Sequence, residues 1–243
     1  MGILKKISDA IFYTPKKENK EGNKTSHNKK INYEFFKELK RNSGKLEDFE
    51  KLLLEPGKVG IIVGARGSGK SALGMRILEN IKSKKKEKVY ALGFSNIPDW
   101  IIPLTNLKQL KDNSFLLADE SGINFSSRNF MSSANKLLSE FLLISRHKNI
   151  SILFITQNSS NIDVNTLRQA DYLLLKPSSL LQLDFERTKI KEIYQEVESD
   201  FKKFNSKDTT YIYSDTYRGF VKNSLPSFWT EKISKGYAKK KLL

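Results

Sequence analysis

The stretch VGIIVGARGSGKSALGMRILENIK, residues 59–82, decides the fold of this chain. It opens with a short β-branched run, Val59–Val63, and passes through a loop, Gly64–Gly69, that contains three glycines. The residues that follow, Ser71–Lys82, carry the apolar spacing of a helix. A strand that leads through a glycine loop directly into a helix is half of a βαβ unit, and such units build parallel sheets covered by helices.

The rest of the chain continues this alternation of short apolar runs and helical segments. Further strands are predicted at Val89–Leu92, Ser114–Ala118, Ile150–Thr156 and Tyr172–Lys176. Helices are predicted at Leu137–Arg146, at Val164–Ala170 and over 186–204, and a terminal hairpin at Tyr211–Tyr213 and Gly219–Lys222. The pattern predicts an α/β fold with a mainly parallel sheet and helices on both faces.

The glycine loop matches the phosphate-binding pattern G-x-x-x-x-G-K-[ST] at every fixed position. Its glycines allow successive backbone N–H groups to point at phosphate oxygens, and the following helix adds its positive N-terminal dipole. Lys70 supplies a charge for the β- and γ-phosphates, and Ser71 offers a hydroxyl to Mg²⁺. ATP and Mg²⁺ are therefore the predicted ligands. The predicted nucleotide-binding residues are Gly64, Ala65, Arg66, Gly67, Ser68, Gly69, Lys70 and Ser71.

A second motif combines an apolar strand with two acids. The run Phe115–Ala118 ends in Asp119 and Glu120. An acid at the carboxyl end of a buried strand faces the ligand crevice of an open α/β sheet. We expect Asp119 to hold Mg²⁺, directly or through water, and Glu120 to act as the general base that polarises the attacking water. Gln157, at the tip of the strand ISILFIT, is placed to sense the γ-phosphate or orient that water.

With these motifs in place, the chain resembles the additional-strand, catalytic-glutamate class of P-loop NTPases, and within it the FtsK–HerA superfamily. The resemblance extends from Lys58 to Lys176 and includes Ser145-Arg146-His147 before the sensor strand. The chain looks like the genome-packaging ATPases of membrane-containing viruses and is also similar to the Zot-like proteins of filamentous phages. The resemblance implies a RecA-like sheet of order 5-1-4-3-2, a ring that is usually a hexamer, and Gln157 as sensor.

Ring ATPases commonly stabilise the transition state with an arginine from the neighbouring subunit. The chain has eight arginines. Arg66 lies in the phosphate loop and Arg76 on its helix, so neither suits a donor in trans. Arg146 is the preferred candidate and Arg168 the second, because they flank the sensor strand. For each of them, pairing with a local carboxylate or capping a helix is an equally good interpretation.

Composition limits the partners. The chain has 243 residues, no cysteine and a net charge of +16, which excludes disulfides and thiolate metal sites and indicates a polyanionic partner. Lysine runs carry most of the excess: net +4 in 16–30, +4 in 82–88 and +5 in 232–241. No stretch reaches the length of a membrane span and no secretory signal is evident, so we expect a cytoplasmic protein, with membrane or virion association as the alternative.

The chain is expected to divide into four parts. Residues 1–30 form an amphipathic start and a disordered basic linker, in which 1–13 would contact a membrane, a capsid or another protein, or pack on their own domain. Residues 31–57 are a helical lead-in, because the spacing of Tyr33, Phe35, Phe36 and Leu39 predicts one helix and the apolar residues between Leu46 and Leu54 predict a second, short one. The ATPase core occupies 58–180, and 181–243 add a helix, a hairpin and a basic tail.

The leading hypothesis is an ATP-hydrolysing ring motor that translocates nucleic acid, most simply a viral or mobile-element ATPase that packages double-stranded DNA. The loop Ser126–Asn135 and the segment Lys84–Lys88 are candidates for its pore. The alternative is a membrane-associated, Zot-like assembly or extrusion NTPase. A P-loop kinase is disfavoured, because Glu120 and Gln157 suit the activation of water. A nucleotide-binding module without hydrolysis remains a further possibility.

Overall fold

A computed structural model describes residues 31–105, 109–120, 138–143, 145, 147–230 and 233. These residues build one nine-stranded sheet. Its strands are β1 (Lys37–Gly44), β2 (Val59–Val63), β3 (Lys88–Leu92), β4 (Ile101–Pro103), β5 (Ser114–Asp119), β6 (Ser151–Thr156), β7 (Tyr172–Leu175), β8 (Thr209–Ser214) and β9 (Tyr217–Lys222).

The order of the strands is β1-β9-β8-β7-β2-β6-β5-β3-β4. At its centre, β7, β2, β6, β5 and β3 are all parallel. Counted from the strand before the glycine loop, these five strands have the predicted order 5-1-4-3-2. The whole sheet differs in detail, because β4 extends it on one side and the antiparallel strands β8, β9 and β1 extend it on the other. The predicted α/β class with a mainly parallel sheet is confirmed.

Helices cover both faces of the sheet, as predicted. They are α1 (Leu46–Leu54), α2 (Lys70–Lys84), α3 (Val164–Arg168), α4 (Leu180–Asp184), α5 (Thr188–Glu196) and α6 (Glu198–Lys203), and most described residues between 138 and 148 are also helical. Alternate residues of β2 enter two separate apolar clusters. Ile61 packs in the cluster that contains Ile190 of α5, and Ile62 in the cluster that contains Leu73 of α2. This alternation fixes the register of the central strands.

The lead-in differs from the prediction. No helix forms over 33–39. Tyr33 and Phe35 lie in the irregular segment before β1, and Leu39 lies in β1, which pairs antiparallel with β9 at the edge of the sheet. The second, short helix predicted for the lead-in is confirmed as α1. The long helix expected over 186–204 is also wrong, because Val197 adopts φ −115° and ψ 14° and separates α5 from α6. The hairpin around Asp215 is confirmed as β8 and β9.

Several expectations lie outside the described residues. These are the amphipathic start and linker within residues 1–30, the loop Ser126–Asn135, Arg146 and most of the basic tail. They stay predictions. Within the described part of the chain, no helix has the length and apolar character needed to cross a bilayer.

Candidate nucleotide site at the phosphate loop

The glycine loop sits at the edge formed by the carboxyl ends of the parallel strands, which we call the carboxyl edge. Gly67 and Gly69 have φ values of +78° and +94°, in the left-handed region that favours glycine. Gly69 is the N-cap of α2, so the helix begins directly at Lys70. A Cβ on Gly67 would have no neighbour within 4 Å, and this side of the loop is therefore open for a ligand. The hydroxyl of Ser68 is buried and has no partner among the described residues.

Lys70 is held inside its own loop. Its Nζ donates to the carbonyl oxygens of Gly64 at 2.7 Å and Ala65 at 2.8 Å. Burial lowers the pKa of Lys70 to about 8, and the carboxylates of Asp119 and Glu120 oppose this shift. Among the described residues, the ammonium of Lys70 donates hydrogen bonds to these two neutral carbonyls alone. Phosphate oxygens would stabilise its charge better than carbonyl oxygens do, so the ammonium is suited to bind an anion.

Ser71 and Asp119 meet where α2 starts beside β5. The Ser71 hydroxyl donates to Oδ2 of Asp119 at 3.3 Å. Both are hard oxygen ligands of the kind that Mg²⁺ prefers, and Mg²⁺ sites commonly use one or two protein oxygens together with substrate phosphates and water. The described residues contain no group of three or more His, Cys, Asp or Glu side chains that could hold a metal ion. The oxygen pair therefore fits a shared Mg²⁺ and does not form a closed metal cage.

Glu120 is buried and fixed by three donors from the neighbouring strand end. The hydroxyl of Thr156 donates to Oε2 at 2.6 Å, and the backbone N–H of Gln157 donates to the same oxygen at 3.3 Å. Nδ2 of Asn161 donates to Oε1 at 2.9 Å. With both carboxylate oxygens held, the orientation of the side chain is set before any ligand arrives.

The turn that carries Asn161 is itself anchored by a pair of residues that sequence reasoning missed. Glu186 accepts from the backbone N–H of Ser159 at 2.9 Å and from its hydroxyl. Arg187 donates through Nε to the carbonyl oxygens of Ser159 at 3.2 Å and Ile162 at 3.0 Å. These contacts fix the short 3₁₀ turn Ser159–Asn161 and, through it, Glu120. Polar residues in irregular segments have no periodicity, so no pattern in the sequence marks them.

The other predicted site residues are placed less centrally. The Gln157 side chain is exposed, and only its backbone contacts Glu120. Arg168 is exposed at the end of α3 and forms no ion pair with a described residue. Arg76 is buried in its own subunit, where it pairs with Glu79 at 3.1 Å, in agreement with its rejection as a donor in trans.

The loop, the strand order and the acidic strand end together define the architecture. The chain has a P-loop NTPase fold. No protein-family model matches it, and no curated protein matches it.

Solved structures give likenesses in fold. One is the genome packaging NTPase B204 from Sulfolobus turreted icosahedral virus 2, in complex with ATP-gammaS: 14% identity, TM-score 0.45, covering 70% of this chain and 99% of that one. EssC (ATPases 2 and 3) from Geobacillus thermodenitrificans has 12% identity and a TM-score of 0.44, and the match covers 75% of this chain and 42% of that one. The cytoplasmic domain of the type VII secretion ATPase EccC of Thermomonospora curvata has 10% identity and a TM-score of 0.43, and the match covers 72% of this chain and 24% of that one. Each of these is a likeness in fold alone.

Proposed function

We propose that this chain is a Mg²⁺-dependent ATPase whose hydrolysis drives the translocation of nucleic acid by a ring of identical subunits. The observation that carries the ATPase half is the fixed carboxylate of Glu120 at the same edge of the sheet as Lys70 and Ser71. A kinase transfers phosphate to a substrate hydroxyl and needs no group that activates water. A carboxylate held on both oxygens beside the loop suits hydrolysis.

Each residue has a distinct role in this proposal. Backbone N–H groups of the loop and Lys70 bind the phosphates. Ser71 and Asp119 would hold Mg²⁺, whose charge would neutralise the phosphates. Glu120 accepts the proton of the attacking water, and Gln157 lies beside it at the tip of β6.

The nucleic-acid half is supported by the distribution of lysines. The run 82–88 lies where α2 ends and β3 begins, at the edge of the sheet opposite the phosphate loop. Lys86 and Lys88 are exposed, and neither forms an ion pair with a described residue. Phosphate contacts dominate non-specific nucleic-acid binding, so free lysines at this edge would bind a backbone without competing for the nucleotide site.

The ATPase is tested with Glu120→Gln, which keeps the size of the side chain and removes its basicity. We expect nucleotide binding to persist and turnover to fall by about 100-fold or more, the scale of a lost general base. Turnover close to that of the wild type would refute the role of Glu120. Nucleotide binding without any turnover in the wild type would instead support a binding module.

The cargo is tested by measuring ATP hydrolysis with double-stranded DNA, single-stranded DNA and anionic liposomes across a salt series. Stimulation by double-stranded DNA that declines steeply with salt is expected. Stimulation by liposomes alone, lost on deletion of residues 1–13, would support the membrane-associated alternative. The absence of stimulation by any polyanion, in every oligomeric state, would refute the motor.

The ring and its arginine are tested together. Native mass spectrometry with ATP measures the number of subunits, for which six is expected. Arg146→Ala and Arg168→Ala are each mixed with Glu120→Gln subunits. Restored hydrolysis in a mixture identifies the arginine that acts on a neighbour's nucleotide, because a mixed ring contains interfaces where one subunit supplies the arginine and the other an intact Glu120. Failure of both mixtures would refute these two candidates.

A further inference from the structure

A lysine directly behind the phosphate loop is unused by the proposed chemistry. Lys176 follows β7 and is completely buried. Its backbone N–H donates to Val63, the last residue before the loop, at 2.8 Å. Its carbonyl oxygen accepts from the hydroxyl of Tyr194 at 2.8 Å. The backbone of Lys176 is therefore fixed beside the strand that enters the loop.

The ammonium of Lys176 is surrounded by neutral oxygens. It donates to the carbonyl of Lys207 at 2.6 Å, to the hydroxyl of Thr210 at 3.3 Å and to Oδ1 of Asn223 at 3.5 Å. No described carboxylate forms an ion pair with it. A buried ammonium without a carboxylate partner is costly to folding, and an apolar side chain would avoid that cost. Packing alone does not call for a lysine here.

The loop rests on this side chain. A Cβ on Gly64 would lie 2.6 Å from Cβ of Lys176, and a Cβ on Gly69 would lie 2.6 Å from the carbonyl oxygen of Lys207 and 3.5 Å from Cε of Lys176. Gly67, by contrast, faces open space. Two of the three loop glycines thus allow close contact with the Lys176–Lys207 pair, while the third leaves the opposite side free for phosphate.

We propose that Lys176 is a positioning residue for the phosphate loop, which it holds against the segment entering β8 and keeps in the conformation that binds nucleotide. This inference rests on the proposed nucleotide site and does not require hydrolysis or nucleic acid. It connects the β8–β9 hairpin to the loop, because the acceptors of the ammonium come from Lys207, Thr210 and Asn223, which lie just before, in and just after this hairpin.

The charge of Lys176 provides a readout that packing alone would not change. Burial lowers its pKa to about 7; the nearby carboxylate of Asp208 opposes this shift and the ammonium of Lys70 adds to it. The charged form, present below this pKa, makes all three donations and attracts phosphate. Nucleotide affinity should therefore decline as the pH rises through about 7, and bound phosphates should raise the pKa, so that binding takes up a proton.

The experiment titrates a fluorescent ATP analogue against the full chain between pH 6 and 9, with wild type, Lys176→Met and Thr210→Val. Lys203→Met, which removes an exposed lysine of α6, is the matched control. We expect Lys176→Met to raise Kd and KM about tenfold, equivalent to about 1.4 kcal/mol, with kcat within about threefold. Titration of Lys70 and of the nucleotide occurs in every variant, so only the difference between variants reports on Lys176.

Thr210→Val removes one acceptor and should move the pH midpoint of binding to lower pH, since the charged form loses a hydrogen bond. Lys176→Met should abolish that component of the profile. A folded Lys176→Met variant with the affinity and pH profile of the wild type overturns the proposal. If that variant does not fold, an unchanged profile in Thr210→Val overturns it. A wild type that binds the analogue in this way and never hydrolyses ATP would contradict the proposed function and leave this inference standing.

Discussion

The substitution Asn161→Ala tests whether the turn after β6 sets the activity of Glu120. Asn161 donates to Oε1 of Glu120 at 2.9 Å, while Thr156 and the backbone of Gln157 hold the other oxygen. Alanine removes one donor and leaves two. The carboxylate stays in place and is free to rotate about the oxygen that is still held.

The magnitude follows from the kind of bond that is lost. A hydrogen bond to a charged group contributes about 1.5–3 kcal/mol net. If that energy orients Glu120 in the transition state, each 1.36 kcal/mol corresponds to a factor of ten in rate, and kcat should fall roughly 10- to 150-fold. No described hydrogen bond joins Asn161 to the phosphate loop, so nucleotide affinity and KM should be unchanged.

Steady-state ATP hydrolysis measures kcat and KM, and a fluorescent nucleotide measures Kd. Asn165→Ala is the matched control, because Asn165 is exposed on α3 and its side chain forms no hydrogen bond within the described residues. A kcat within twofold of the wild type, in a preparation where Glu120→Gln is inactive, would refute the positioning role of Asn161. A change confined to KM would place Asn161 in binding.

Three further outcomes are expected. Glu79→Gln should lower the free energy of unfolding by about 3–5 kcal/mol in urea denaturation, because it removes the buried carboxylate partner of Arg76 and leaves the guanidinium, among the described residues, with the longer contact of 3.7 Å to the half-exposed carboxylate of Glu34. Gly69→Ala should abolish nucleotide binding in the same fluorescence titration, since the residue has φ +94° and its Cβ would lie 2.6 Å from the carbonyl oxygen of Lys207. The double change Lys86→Gln and Lys88→Gln should weaken DNA stimulation at moderate salt, measured as DNA-dependent hydrolysis, with the basal rate unchanged.

Each of these has its own control. Glu192→Gln removes the carboxylate of an exposed pair with Lys189 and should leave stability unchanged. If both glutamate variants lost a similar free energy of unfolding, the buried pair of Arg76 and Glu79 would not contribute more to stability than an exposed pair, which contradicts the prediction. Circular dichroism confirms that Gly69→Ala is folded, and intact binding in that variant would contradict the close contact. Lys202→Gln with Lys203→Gln controls for loss of charge, and equal effects of both lysine pairs would show that the run at β3 is not a specific surface.

The centre of the molecule was predictable because its determinants are local. The phosphate loop, its flanking strand and helix, and the acids after β5 are each contiguous in sequence, and buried parallel strands appear as apolar runs. The strand order of the central five came from family resemblance. Local patterns alone do not specify which strands become neighbours.

The predictions that were wrong concern elements that carry no clear local pattern or that pair with residues far away in the sequence. Most side chains of β1 are exposed, and its pairing with β9 joins residues that are far apart in sequence, as in Glu38 and Val221, which are 183 positions apart. Nothing within residues 33–44 alternates clearly enough to indicate a strand. The break at Val197 similarly has no glycine or proline to mark it, and β4 has only three residues.

The residues of the candidate site also divide into those that local motifs predict and those that they do not. Lys70, Ser71, Asp119 and Glu120 were predicted from motifs, and their roles stay predictions. The supports of Glu120 were not predicted, because Asn161, Glu186 and Arg187 act through hydrogen bonds between the turn after β6 and segments that are distant in sequence.

The carboxylate of Glu79 has a mechanical consequence. It accepts backbone N–H groups of Asn32 at 3.0 Å and Ser227 at 2.9 Å, so both outer ends of the described fold are fastened to one residue of α2. The basic segments 16–30 and 232–241 continue the chain beyond these two points. Tension on either segment would be transmitted to α2, a helix whose first residue is Lys70. Force on the two basic segments and phosphate binding at the proposed nucleotide site would then be coupled through this one helix.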